Sequence, residues 1–246
     1  MNLPSILFPG PVAGTVSSLQ LYGEAFLRLF FPAFCGTCPV LLGAAERGLC
    51  PSCLARLRES RFSLDEAILS RKFQSLDQGW AAYPYEFPVK DLIGAVKFSG
   101  KRSLLKIFRE DLRTLVRALL AENHYDALIP IPIDLFKLLE REYNQSELIA
   151  ALIRREVSIP VWTRTLRKHH RTPSQGSLSR EERKTNLHGA FHVFKAEKVR
   201  GKALLLVDDI FTTGATAEEA AAVLKQSGAR RVDLFAVART KLHQGS

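Results

Sequence analysis

Cysteine, methionine and tryptophan are scarce in this chain of 246 residues: four, one and two respectively. All four cysteines lie between positions 35 and 53, so nothing beyond that stretch can be cross-linked by a disulfide or gathered around thiolates. No apolar run reaches the ~18–20 residues that a membrane-spanning helix needs. Leu19 to Phe34 is apolar but broken by Glu24, Arg28 and Pro32, and its Leu21, Phe26, Leu29 and Phe30 suit a short amphipathic helix. The first residues lack a basic stretch, so no signal peptide is read and the cytoplasm is the expected location. No internal repeat is visible. Acidic residues are the minority, 25 against 35 Lys and Arg, for a net charge of +10. Apolar residues make up 46% and charged residues 24%, which allows one good core plus an appendage.

The positive excess is uneven. Residues 1–80 hold seven basic and six acidic residues, whereas 87–121 hold eight against three and 154–186 nine against three. The basic surface therefore belongs to the later chain, where it would attract nucleic acid or a small polyanion, or merely face solvent.

The cysteines form two C-x2-C pairs, Cys35-Gly-Thr-Cys38 and Cys50-Pro-Ser-Cys53, eleven residues apart. Each pair can present two thiolates to one metal, and two pairs close a tetrahedral zinc site. Two disulfides are disfavoured in a cytosolic chain, and no thioredoxin-like unit surrounds either pair. With four ligands used, such a zinc ion is structural and holds a small ribbon that has little core of its own.

Four regions are expected: a lead-in over 1–34, the four-cysteine ribbon over 35–60 with a short helix from Pro51 to about Arg58, a connector over 61–88, and a main domain over 89–241. Trp80 to Tyr85 reads as a strand and Leu92 to Phe98 as a helix stopped by Ser99-Gly100. Leu104, Phe108, Leu112, Leu115 and Leu119 recur at helical spacing and mark core residues of a long amphipathic helix. Strands are then expected at Ala127–Ile131, Pro160–Leu166, Phe191–Phe194, Ala203–Val207 and Val232–Ala238, with helices at Leu138–Arg155 and Ala215–Gln226 and a C-cap at Gly228. This alternation predicts an α/β fold: a parallel sheet with helices on both faces, and ligands bound at the C-terminal strand ends.

Residues 203–216, Ala-Leu-Leu-Leu-Val-Asp-Asp-Ile-Phe-Thr-Thr-Gly-Ala-Thr, are the most informative stretch. A buried strand runs into Asp208 and Asp209, then a turn of small hydroxylated residues, then a helix N-terminus. Free amides, threonine hydroxyls and the positive helix end make an anion cradle. Two carboxylates beside it would repel a bare phosphate, so the ligand also carries hydroxyl groups or arrives with Mg2+. No Lys follows Gly214, which excludes a Walker A loop.

The segment resembles the 5-phosphoribosyl-1-pyrophosphate (PRPP) signature of type I phosphoribosyltransferases. The resemblance implies that Asp208 and Asp209 hold the ribose 2- and 3-hydroxyls and that Thr212, Thr213, Gly214, Ala215 and Thr216 hold the 5-phosphate. The loop after the Ala127 strand, Pro130 to Lys137 with Pro132, Ile133 and Lys137 as its candidate contacts, stands where that family binds pyrophosphate. The long basic stretch from Arg167 to Leu187 stands where a lid closes over PRPP, with Arg171 a candidate for offsetting leaving-group charge.

Taken in order, the ribbon, Pro130-Ile131-Pro132, Arg141-Glu142-Tyr143-Asn144-Gln145, Arg171-Thr172-Pro173-Ser174-Gln175, Arg183-Lys184-Thr185-Asn186, Gly189-Ala190-Phe191 and the Asp208 segment resemble the ComF family of competence-associated, phosphoribosyltransferase-like proteins, over about Phe31 to Arg239. Three departures stand out. Glu142 replaces the family's usual Gly, His170 stands at a position usually Arg, and the basic residues after Pro-x-Pro are reduced to Lys137 and Arg141. The resemblance implies a type I phosphoribosyltransferase-like domain with an N-terminal zinc ribbon, binding PRPP with Mg2+ and acting in DNA uptake during natural transformation. Its implied partners are single-stranded DNA and a DNA-uptake helicase or another competence protein. Lys97, Lys101, Arg102, Lys106 and the Arg167–Arg171 stretch would follow the phosphate backbone. The alternative is an active enzyme in nucleotide metabolism, displacing pyrophosphate from PRPP with a nitrogen acceptor, although no general base or base-recognition hood is apparent.

Overall fold

The computed structural model describes residues 32–43, 46–70, 72–168 and 189–241. The expected helix around Leu21 to Phe30 and the basic stretch from His169 to Leu187 lie outside the described residues, and Arg171 with them. Among the described residues no helix is long and apolar enough to cross a membrane.

Four parallel strands form the sheet, in the order β1 (Gly79–Pro84), β6 (Arg231–Arg239), β5 (Ala203–Phe211), β2 (Ala127–Pro130). The two central strands, β5 and β6, are buried along almost their whole length. Their apolar runs lack a polar alternation because both faces are covered. Ala203, Leu205, Val207, Phe235 and Val237 face one side. Packed there are α3 (Val89–Ser99), a 3-10 helix (Arg102–Phe108), α4 (Arg109–Glu122) and α6 (Gln145–Arg154). Leu204, Leu206, Leu234 and Ala236 face the other side, against α7 (Ala215–Gln226).

The helical periodicity at Leu104, Phe108, Leu112, Leu115 and Leu119 is matched by burial of all five, although the first turns are 3-10 rather than α. Gly100, at φ 65°, ends α3 in the left-handed conformation that favours glycine. The connector supplies β1, which pairs with β6 in register Gly79↔Leu234 to Pro84↔Arg239, and a four-residue helix α2 (Leu64–Ala67) closed by a capping box between Ser63 and Glu66.

Four expectations need correction. The helix expected over Leu138–Arg155 is two helices, α5 (Leu135–Arg141) and α6, separated by Glu142 at φ 64° and by Asn144, whose side chain caps α6 by accepting from Ser146 N. Pro160–Leu166 is not a strand: only Val161 bridges to Leu128, and Leu166 opens β3 (Leu166–Lys168). Phe191–Phe194 does not join the parallel sheet; β4 (Phe191–Val193) pairs antiparallel with β3. The signature strand does not stop at Val207 but continues to Phe211, because Ile210 and Phe211 still pair with Ala238 and Arg239.

N-terminal to the sheet, α1 (Pro51–Glu59) follows the second cysteine knuckle. The ribbon sits on the 3-10 helix, and a Cβ at Gly48 (φ 79°) would stand 2.9 Å from the Ile107 side chain. Cys35, Leu49, Cys50, Cys53 and Leu57 are buried in the same cluster as Leu104, Phe108 and the α3 face of the sheet.

Candidate functional site

The four thiols converge. Cys35, Cys38, Cys50 and Cys53 place all four Sγ atoms within 4.8 Å of one another, with no disulfide among them. Cys38 Sγ lies 3.7 Å from both Cys50 Sγ and Cys53 Sγ. A tetrahedral tetrathiolate site with Zn–S bonds of about 2.3 Å has an S–S edge of about 3.8 Å, so the donor set has the spacing that such an ion requires. Cys50 N lies 3.4 Å from Cys35 Sγ, an outer hydrogen bond of the type that orients thiolate ligands. This cluster can hold a metal ion and leaves no fifth position for a substrate.

The second site lies at the C-terminal ends of β5 and β2, where parallel sheets place their ligands. Because β5 runs on through the acidic pair, Asp208 and Asp209 stand within a paired strand rather than dangling from its end. Asp208 Oδ1 accepts from Ser146 Oγ at 3.0 Å and from Asp209 N at 2.9 Å. Burial, and then the neighbouring Asp209 charge, lift the Asp208 carboxyl from its ordinary value to about 7. Asp209 is buried, and its Oδ2 lies 2.6 Å from Lys97 Nζ on α3, an ion pair by distance whose angles fall outside hydrogen-bond geometry.

The turn that follows has Thr212 and Thr213 exposed and Gly214 buried at φ 77° as the N-cap of α7. That φ favours glycine, and it lets the chain reverse into the helix directly beyond the strand. Thr213 Oγ1 stands 3.4 Å from Ala215 N, and Thr216 is half-buried in the first turn. The first amides of α7 have no intrahelical partner, so the positive end of the helix sits within a few residues of the acidic pair.

The Pro-Ile-Pro loop comes alongside. Pro130 pairs with Val207, and Ile131 N donates to Val207 O at 3.0 Å, which brings the start of the loop alongside the acidic pair. Asn144 Nδ2 donates to Ile131 O at 3.0 Å. Asn144 and Ser146 thus tie both the loop and the acidic pair to the start of α6. Tyr143 is buried, its hydroxyl donates to Val96 O, and Arg102 stacks 4.1 Å over its ring. Lys137 is exposed on α5. Lys168, at the end of β3, has its ammonium pushed down first by burial. Asp134, Asp208 and Glu219 act in the opposite sense, while Lys137 adds to the depression.

Asp208, Asp209, Thr212 to Thr216, Pro132 and Ile133 therefore come together at one end of the sheet, with Lys137 at the edge of the group. Lys97 and Ser146 were not expected there. Lys97 was expected on an outer basic face with Lys101, Arg102 and Lys106, and it instead points inward to Asp209. Ser146 carried a weak signal, since it lies two residues past the capping Asn144 and that helix start faces the strand end.

Glu142 stands at φ 64°, the conformation that explains why the resembled family has glycine there. Its carboxylate lies 3.2 Å from Arg102.

No protein-family model matches the chain. Among curated proteins, the chain is 25% identical over 226 residues to "Competence protein F" of Haemophilus influenzae, covering 85% of this chain and 98% of that one. It is 26% identical over 229 residues to "DNA utilization protein YhgH" of Escherichia coli K12, covering 86% and 99%. "Competence protein ComFC" of Bacillus subtilis is 26% identical over 166 residues, 67% of this chain and 65% of that one. Among solved structures, the glutamine PRPP amidotransferase of B. subtilis overlaps at 18% identity and a TM-score of 0.35, over 52% of this chain and 25% of that one. A purine phosphoribosyltransferase of Pyrococcus horikoshii overlaps at 16% and 0.31, over 55% and 85%. At those scores the structural overlaps carry no argument. The likeness to the Haemophilus and Escherichia proteins covers 85–86% of this chain and 98–99% of theirs, so the resemblance to the ComF family of competence-associated, phosphoribosyltransferase-like proteins extends over most of the chain.

Proposed function

We propose that this chain binds PRPP at the C-terminal ends of β5 and β2 and serves DNA uptake in natural transformation. The arrangement that carries the proposal is the acidic pair beside the Gly214 turn. Two carboxylates stand there as hydroxyl acceptors within a few residues of a helix N-terminus that attracts phosphate. Asp208 and Asp209 take the ribose hydroxyls, Thr212 to Thr216 the 5-phosphate, and Pro132, Ile133 and Lys137 the pyrophosphate, which brings its Mg2+ with it. The part in DNA uptake rests on the relatives named for competence and DNA utilization. A structural zinc ion is held by Cys35, Cys38, Cys50 and Cys53, whose spacing suits it. The proposed division is a ribbon over 35–60 and a PRPP-binding unit over 89–241, to which the connector adds the edge strand β1.

Calorimetric titration with PRPP and Mg2+ tests the reading. Saturable binding at one site per chain is expected, and it is lost in the Asp208→Asn, Asp209→Asn double variant. Full affinity in that variant rules the site out. Release of pyrophosphate on adding a nitrogen acceptor would make the chain an enzyme of the transferase class.

Single-stranded DNA is proposed to follow Lys101, Arg102 and Lys106. Phe98, 74% exposed and covered on one face by Arg141 at 5.2 Å, is the aromatic available for stacking. A DNA-uptake helicase remains the proposed protein partner.

A further inference from the structure

The acidic pair sits where a ligand carrying a 5-phosphate and a pyrophosphate must approach, and two bare carboxylates there would repel it. Three elements bring other groups to bear on the pair. From α3, Lys97 Nζ lies 2.6 Å from Asp209 Oδ2, with the two side chains only 17% and 12% exposed. From α6, Ser146 Oγ donates to Asp208 Oδ1. From β3, Lys168 faces Asp208 among its electrostatic neighbours. Just beyond β1, the Tyr85 phenol is held above its ordinary range by burial and then by the charges of Asp209 and Asp91. Lys97 alone of these makes an ion pair with the acidic pair among the described residues.

We propose that Lys97 is a positioning residue for the ribose site: its ammonium holds Asp209 as an oriented carboxylate and offsets its charge, so that a phosphorylated ribose can enter with the acids placed to accept hydroxyl donors. The proposal rests on the PRPP reading above. Its geometric basis does not, since the ion pair exists without ligand. The placement also explains why a half-buried lysine stands at the end of an otherwise apolar helix face, beside Leu92, Ile93 and Val96. A buried cation is costly unless paired, and its partner here is the second acid of the signature. Lys97 also lowers the Asp208 carboxyl against the two larger influences that raise it.

The test has two arms, each run on the full chain as wild type, Lys97→Met, Lys97→Gln and Lys97→Arg. In the first, the Asp208 side-chain carbon is followed by NMR against pH without ligand. The Met and Gln variants should shift its titration upward, and Arg should leave it near wild type. In the second, PRPP with Mg2+ is titrated calorimetrically at pH 6, 7 and 8.5. Met and Gln should weaken binding about ten- to a hundredfold at pH 7, the size expected for a lost charge-assisted contact. They should regain part of that loss at pH 8.5, and Arg should restore most of it. A loss independent of pH, or one that Arg fails to restore, would mean a packing defect and overturn the proposal. So would carboxyl titrations unchanged in Met and Gln. If wild type itself binds no PRPP, the ligand reading fails, while the first arm still decides whether Lys97 controls the pair.

Discussion

Replacing Asp208 by Asn should make the ligand-free protein more stable while weakening its proposed ligand binding. The Asp208 carboxyl is raised from 3.8 to about 7, first by burial and then by Asp209. A rise of that size sets a ceiling of about 4 kcal/mol on the cost of keeping it ionised. Asp208 is only half-buried by accessible surface and shares its titration with a neighbour, so solvent screening brings the expected gain down to about 1–2 kcal/mol. An amide oxygen can still accept from Ser146 Oγ and Asp209 N, so the local hydrogen bonds survive the change. The sign with pH follows from the raised carboxyl. Its protonated form favours the folded state, so that contribution is fully present below about pH 4 and is lost as pH rises towards 7. The variant has no such loss. Its advantage should therefore be near zero at pH 4, grow to pH 7 and stay level above. In a chain of this size about 2–4 °C accompanies each kcal/mol, so thermal unfolding at pH 8 should show a midpoint ~2–8 °C higher. A midpoint below wild type at pH 8, or a gain of equal size at pH 4.5 and pH 8, would refute the electrostatic account.

Metal analysis should find about one zinc per chain, and Cys50→Ser should lose it with a lower unfolding midpoint; a metal-free protein with four freely reactive thiols would end that reading. Gly214→Ala forces a side chain into the left-handed conformation, at a cost of about 1–2 kcal/mol in urea unfolding, and weakens PRPP binding as the turn shifts. Gly214→Asn should cost less, and an alanine variant as stable as wild type would contradict the turn geometry. Single-stranded DNA binding should be weak and fall steeply with salt, and Lys101→Glu, Arg102→Glu should reduce it. Binding that ignores salt, or is absent at low salt, sinks the DNA contact.

The elements most legible in the sequence were those in which one signal had no competitor. Ala203–Val207 followed by an acidic pair, small residues and an alanine-rich helix could only be strand, turn and helix, and α7 begins and ends where expected. The break at Glu142 was hidden because a glutamate does not announce a left-handed φ, and apolar residues recur on both sides of it. Asn144 with Glu147 three residues later was the cap signal that could have located the second helix start. The continuation of β5 depended on partners in β6 28 positions away, Ala238 for Ile210 and Arg239 for Phe211, which no local pattern carries. Lys97 was misplaced for a related reason. Sequence shows how many charges a helix bears but not which of them meets a carboxylate from another element.

The β3–β4 hairpin has a consequence for the length of this chain. Lys168 pairs with Phe191, so the chain leaves and returns at one fixed point, joined by a ladder of three residue pairs. Closure entropy changes only by about 0.6 kcal/mol for each doubling of the enclosed length. The twenty positions from 169 to 188 could be halved or doubled with little thermodynamic effect on the sheet. Their number and composition are thus free to answer to whatever they touch, while the strands that hold the acidic pair remain insulated from the change.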